Sequence, residues 1–149
     1  MPDPKTLARA RKDKREGKSA STQAGEFIRE EIEHIREGKH GARSTEQAIA
    51  IGLSKARRAG VKLPPPKKGT TSVAVRTQAK RDIARAKHPR APNPKRSRAM
   101  MKKLKGEGHQ VVSSAALSRH ARASAKRRTA SQRSASAKKA VRTKRSAAA

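Results

Sequence analysis

"GARSTEQAIAIGLSKARRAG", residues 41–60, carries a helix start and a helix stop within twenty residues. Ser44 and Gln47 have the S-x-x-Q spacing of a capping box, in which side chains satisfy backbone N–H groups that have no carbonyl partner inside the helix. Ile49, Leu53 and Ala56 share one face. Ala48 and Ile51 widen the apolar side, and Gly52 sits where a neighbouring backbone could approach closely. Lys55, Arg57 and Arg58 fill the last turn, where cations suit the helix dipole, and Gly60 fits the stop.

The preceding stretch, "STQAGEFIREEIEHIREGKHG" (21–41), predicts a second helix. Ile28, Ile32 and Ile35 recur at helical spacing, with Phe27 and Ala24 beside them. Ser21 or Thr22 serves as the cap and Gly38 as the stop. Glu26, Glu30, Glu33 and Glu37 form an acidic stripe on another face, open to weak pairs with Arg29 and Arg36. Residues 22–60 thus read as a helical hairpin within a unit of 21–63. Its assembly or core residues are Phe27, Ile28, Ile32, Ile35, Ile49, Ile51, Leu53 and Ala56. Such a short hairpin is marginal alone, so self-association or packing by later helices is expected.

Outside the hairpin the chain is a polycation. Its 149 residues hold 40 Lys and Arg against 11 Asp and Glu, a formal charge of +29. Leu, Ile, Val and Phe number 18, about 12% of the chain, below the ~20% at which a highly charged sequence is expected to be disordered. The charge is uneven. Residues 1–60 hold 14 basic and 9 acidic residues, whereas 61–149 hold 26 basic residues and only Asp82 and Glu107.

The expected class is all-α, with a largely disordered tail. Residues 1–20 form a basic arm, polar and helix-permissive over 5–16. "LPPP" opens a proline-rich linker of 64–71, since prolines favour an extended spacer. A basic helix covers 72–88, with Val75, Ala79, Ile83 and Ala86 in register and Pro89 ending it. A second proline-rich linker covers 89–95, and a short basic helix 96–106. From Ser113 to Ala149 the chain is low complexity: 12 Ala, 8 Ser, 11 Lys or Arg and no acid in 37 residues. Mutual repulsion should keep that tail extended until phosphates neutralise it.

This charge pattern is the footprint of nucleic-acid contact. The candidate DNA-binding residues are Lys55, Arg57, Arg58, Arg76, Lys80, Arg81, Arg85, Lys102, Lys103, Arg119, Arg122, Lys126, Arg127, Arg128, Lys138, Lys139, Arg142, Lys144 and Arg145. Double-stranded DNA, bound through phosphates and largely without sequence preference, fits best. One aromatic residue, Phe27, gives no basis for stacking single strands, although RNA remains an alternative partner. A helix-turn-helix with 45–59 as recognition helix is disfavoured, because its cations lie at the C-terminal end and its neighbour is acidic. Three further readings follow: a ribosome- or RNA-associated protein, an adaptor using the acidic helix 26–37, and self-association through the hairpin.

There is no cysteine, so thiolate metal sites and disulfides are excluded. His34, His40, His88, His109 and His120 are scattered without close pairs, and the polar-surface reading is preferred to a metal site. No P-loop, dinucleotide turn or nucleophile constellation is present. The expectation is therefore no enzyme, no cofactor and no metal. The N-terminus lacks an apolar leader and no stretch is long enough to span a membrane, so a soluble intracellular protein is expected.

The motif S-x-x-QAIAI-x-LS-x-AR-x-x-G, here Ser44 to Gly60, behind a glutamate-rich helix, resembles a family of small, very basic bacterial proteins. Its members are named variously as DNA-binding or plasmid-stabilisation proteins or as a domain of unknown function. The resemblance covers about residues 4–68, with "SRAMMKKLKGEG" and "ALSRHARASAKRR" similar to downstream segments of longer members. It implies DNA binding and a link to plasmid maintenance and, taken with the charge, leads to the expectation of a cytoplasmic, nucleoid-associated bacterial protein. The tail is similar in composition to linker-histone tails.

Overall fold

A computed structural model describes residues 2–148. Seven α-helices are present among them: α1 (Pro4–Arg15), α2 (Ala20–Arg36), α3 (Thr45–Arg58), α4 (Val73–Lys87), α5 (Pro94–Lys105), α6 (Ser114–Lys126) and α7 (Ala130–Ala148). A short 3-10 turn covers Gln110–Val112. The all-α expectation holds. The chain divides into two compact units, the first ending at Val112 and the second beginning at Ser113.

In the first unit α2 packs on α3, α1 on α2 and α4 on α3. Ser44 caps α3 as the sequence predicts, whereas the Gln47 side chain reaches one residue beyond the N-cap N–H of a capping box. Ser44 Oγ accepts from the Gln47 N–H at 3.1 Å, while Gln47 Oε1 accepts from the Arg43 N–H at 2.7 Å. Gly60, at φ +88°, ends the helix. Truncating the cap in Ser44→Ala is expected to cost about 1 kcal/mol, read as a lower urea midpoint with an unchanged slope. Helix α2 starts earlier than predicted, because Ser19 rather than Ser21 or Thr22 supplies the cap, accepting from the Thr22 N–H at 3.3 Å.

The buried faces also differ from the isoleucine stripes. Helix α3 turns Thr45, Ala48, Gly52 and Ala56 inward, and α2 turns Ala24, Phe27, Glu31 and Ile35 inward. Ile28, Ile32, Ile49, Ile51 and Leu53 flank the seam and are only partly buried. The reason is close approach: a Cβ on Gly52 would lie 2.7 Å from Ile28 Cα. Small residues let the backbones meet, and the large ones wrap the sides.

Two apolar clusters result. One joins Ala10, Ala24, Phe27 and Ala56, with Leu7, Leu53, Val61 and Leu63 against it. The other joins Ile35, Ala42, Ala48 and Val112, with Ile32 and Val111. The basic arm is therefore not free: α1 contributes Leu7 and Ala10 to the core, and Arg9 Nε pairs with Glu26 Oε2 at 2.8 Å. The Val111–Val112 end is pinned from two helices. Arg36 donates to the Val112 carbonyl at 3.2 and 3.0 Å, and Thr45 Oγ1 donates to that of Val111 at 2.6 Å. Within the chain the hairpin is covered by α1, α4 and the Gln110–Val112 turn.

The second unit overturns the expectation of a disordered tail. Residues 114–126 and 130–148 are helical. Alanine is the strongest helix former, and both starts are capped. Ser113 Oγ accepts from the Ala116 N–H at 3.3 Å. Thr129 and Gln132 form a reciprocal capping box, with N–H to side-chain oxygen distances of 3.1 and 3.2 Å. These local contributions do not depend on net charge or on burial in a core.

Candidate nucleic-acid interface

The predicted cations fall into two groups once the helices are placed. Four are committed to the fold. Lys55 Nζ reaches from α3 to Glu30 Oε1 (3.3 Å) and Glu31 Oε2 (2.7 Å) of α2. Arg57 is buried and donates to the carbonyls of Leu63 and Pro64 at 3.4 and 3.3 Å. Arg76 Nε donates to the Pro66 carbonyl at 3.2 Å. Arg58 Nη1 pairs with Asp82 Oδ1 at 3.0 Å. The proline-rich linker explains two of these contacts: extended backbone leaves its carbonyls without ladder partners, and arginine forks satisfy them. Burial pushes the Arg57 guanidinium below its usual range, partly offset by the Asp82 charge. Lys55 and Arg57 are thus withdrawn from the DNA-binding set, because their donors face inward.

The remaining fifteen are exposed. Lys80, Arg81 and Arg85 lie on the outer side of α4, whose inner side carries buried Ala79 and Asp82. Asp82 is fully buried and also accepts from Gln78 Nε2 at 3.1 Å, so the one carboxylate of α4 is absent from its surface. On α5, Lys102 and Lys103 are joined by exposed residues that the candidate set omitted. Lys95, Arg98, Lys102 and Lys105 recur at helical spacing along one face. The signal was available in "NP" at 93–94. Asn93 caps the helix, accepting from the Arg96 N–H at 3.1 Å, and Pro94 is pre-organised for the first turn. Beneath, Met100 and Leu104 of α5 and Ala50 and Ile51 of α3 line a shallow groove.

The second unit holds no carboxylate side chain. On α6, Arg119, Arg122 and Lys126 form one stripe at i, i+3 and i+7. On α7, Lys138, Arg142 and Arg145 form another at i, i+4 and i+7, while Lys139 and Lys144 point elsewhere around the helix. Lys126, Arg127 and Arg128 surround the break between the two helices. Arg128 is partly spent there, donating to the Gln132 carbonyl at 3.0 Å and to Ser136 Oγ. Six basic residues of α7 lie between 133 and 145, roughly one per 3 Å of helix axis. That is about half the linear charge density of duplex DNA.

The acidic helix is not the exposed stripe that the sequence suggested. Glu26 pairs with Arg9, and Glu30 and Glu31 are buried, so only Glu33 and Glu37 face outward. Burial pushes the Glu30 carboxyl upward, but the Thr6 hydroxyl, the Asp3 N–H and Lys55 outweigh it and leave the group below its usual range. His34 and His40 are not scattered either. Their ring centroids are 6.3 Å apart, and together with Glu31 they offer ligand atoms that all lie within 4.8 Å of one another. The two lie six residues apart across the end of α2, and the chain reverses between them at Gly38.

No helix among the described residues is long and apolar enough to cross a membrane. Residues 11–68 match the model of a family described as a family of unknown function (DUF6496). That span contains α2, α3 and the last five residues of α1, and stops before the strongly cationic helices. Neither the curated proteins nor the solved structures contain a match to the chain.

Proposed function

We propose that the chain is a non-enzymatic, nucleoid-associated protein that binds double-stranded DNA through its phosphates, largely without reading sequence. The observation that carries this reading is the uncompensated charge after position 60. Of 26 basic residues there, most are exposed on helices. Asp82 is buried against Arg58, and Glu107 lies outside the helices. Such a surface gains affinity by releasing the counterions condensed on DNA.

Two features favour non-specific duplex binding over other modes. Phe27, the one aromatic residue, is fully buried and offers no platform on which to stack an unpaired base. Thr45 at the start of α3 is buried, its hydroxyl donated to Val111, so α3 does not present the N-terminal end that recognition helices place against base edges. Plasmid maintenance and a cytoplasmic location at the nucleoid are further parts of the proposal, resting on the sequence resemblance and on the charge.

The test is a salt titration of full-length protein on random duplex DNA, read by fluorescence anisotropy. Contact with about six phosphates predicts a log–log slope near −5, a loss of roughly 10³ in affinity between about 50 and 200 mM salt. Affinity indifferent to salt would overturn the proposal. Structured RNA as competitor addresses the alternative: RNA displacing the duplex at much lower concentration would move the assignment to RNA.

A further inference from the structure

We propose that Glu31, His34 and His40 form a binding site for a divalent transition-metal ion of the Zn²⁺ type, between α2 and the loop that follows it. His40 is buried, and its Nδ1 lies 3.1 Å from the Gly41 carbonyl oxygen. A carbonyl only accepts, so Nδ1–H is the donor of this contact, and Nε2 is the ring nitrogen left to ligate. That nitrogen faces Glu31 Oε1 at 3.2 Å. Nε2 and Oε1 are thus spaced as two ligand atoms of one cation.

Glu31 is fully buried, and neither of its oxygens receives an aligned hydrogen bond. Lys55 Nζ, 2.7 Å from Oε2, neutralises charge on the far oxygen and leaves Oε1 turned to the imidazoles. The 3.2 Å separation matches the edge of a tetrahedron around zinc, about 3.3 Å for bonds of ~2.0–2.1 Å. An imidazole whose other N–H is anchored on a backbone carbonyl is the arrangement that orients metal-ligating histidines.

The charge count agrees. Asp3, Glu30 and Glu31 bring three carboxylates to the cluster against one ammonium, that of Lys55, so the pocket is acidic. Asp3 belongs to it through its N–H, donated to Glu30 Oε2 at 3.1 Å, and its Oδ2, 3.7 Å from His34 Nε2. A divalent ion suits such a pocket inside a chain that is otherwise strongly cationic. Two imidazoles and a carboxylate, with no thiolate in the chain, select Zn²⁺ over Mg²⁺ or Ca²⁺, which prefer all-oxygen shells. His34 is partly exposed, with 19% of its side chain accessible, which gives the ion a way in and leaves the fourth position to water. The ion would tie the α2 C-terminal turn to the 37–44 loop, and so add to stability without touching the cationic surface.

The test titrates ZnCl₂ alone into the full-length protein, followed by calorimetry and by ¹⁵N shifts of the imidazole nitrogens. One saturable equivalent is expected, with shifts confined to His34 and His40, a rise in the thermal midpoint, and at least a tenfold loss of affinity in His34→Gln and in Glu31→Gln. Shifts spread over His88, His109 and His120, or the absence of saturation at one equivalent, overturn the site. The wild-type imidazole shifts decide the matter even where a variant fails to fold. DNA affinity plays no part in the readout, so this inference stands or falls separately from the DNA proposal.

Discussion

Gly52→Ala is expected to destabilise the first unit by about 2 kcal/mol, against the usual direction for this substitution. Inside a helix alanine normally gains up to about 1 kcal/mol over glycine, because glycine loses more backbone freedom on folding. Gly52 lies mid-helix in α3, yet the new methyl carbon would sit 2.7 Å from Ile28 Cα and 3.0 Å from Ile28 N. Those are backbone atoms of α2, so no rotamer change relieves them and the two helices must separate. Overpacking of this kind costs roughly 1–3 kcal/mol, which outweighs the propensity gain. Separation also loosens Lys55 from Glu30 and Glu31, whose carboxylates are buried and depend on it. The internal control is Gly25→Ala on α2, where an added Cβ meets nothing within 4 Å. It should stabilise by up to about 1 kcal/mol. Urea unfolding of both variants settles the point: shifts of the same sign would show that the α2–α3 contact is looser than the geometry implies.

Helix α3 was legible because its determinants are local. Ser44, Gln47 and Gly60 act within a few residues, and the chance of close approach at Gly52 was visible as a glycine within an apolar face. The partner of Gly52 was not, because which residue of α2 it meets depends on the register between two helices. The buried pair Glu30–Glu31 was missed for the same reason. A run of glutamates at helical spacing reads as a solvated stripe unless the lysine 24 or 25 positions later is known to lie against it. The short link between His34 and His40 reverses direction, and nothing in the spacing says that the rings then meet. In the tail the error ran the other way. Net charge favours an extended tail, but the alanines and the caps at Ser113 and Thr129 act within the helix itself and need no core. The same helices turn the candidate cations from a diffuse cloud into stripes. They also show where the sequence over-counted: Lys55 and Arg57 look like the most natural phosphate ligands in the motif, and both are consumed by the fold.

That distinction gives the second large effect. Replacing Lys138, Lys139, Arg142, Lys144 and Arg145 together by glutamine should make the salt slope of duplex binding shallower by about 4.5, at ~0.9 per lost phosphate contact. Near 0.1 M salt this corresponds to a loss on the order of 10⁴ in affinity, if all five cations reach phosphates. Glutamine is close to lysine and arginine in helix propensity, so α7 should survive, and circular dichroism checks that it does. The contrasting variant is Lys55→Gln with Arg57→Gln. Its unpaired carboxylates and carbonyls should lower the unfolding midpoint, while the salt slope stays where it was. Helix geometry sets a limit on the first number. Lys138, Arg142 and Arg145 lie on one face, whereas Lys139 and Lys144 point away from it. A helix resting on one strand can use only the first three, whereas one lodged in the major groove, roughly 12 Å wide, meets phosphates on both walls. Restoring Lys139 and Lys144 alone separates the two cases: recovery of nearly two contacts' worth of slope places α7 in the groove, and no recovery places it along a single backbone.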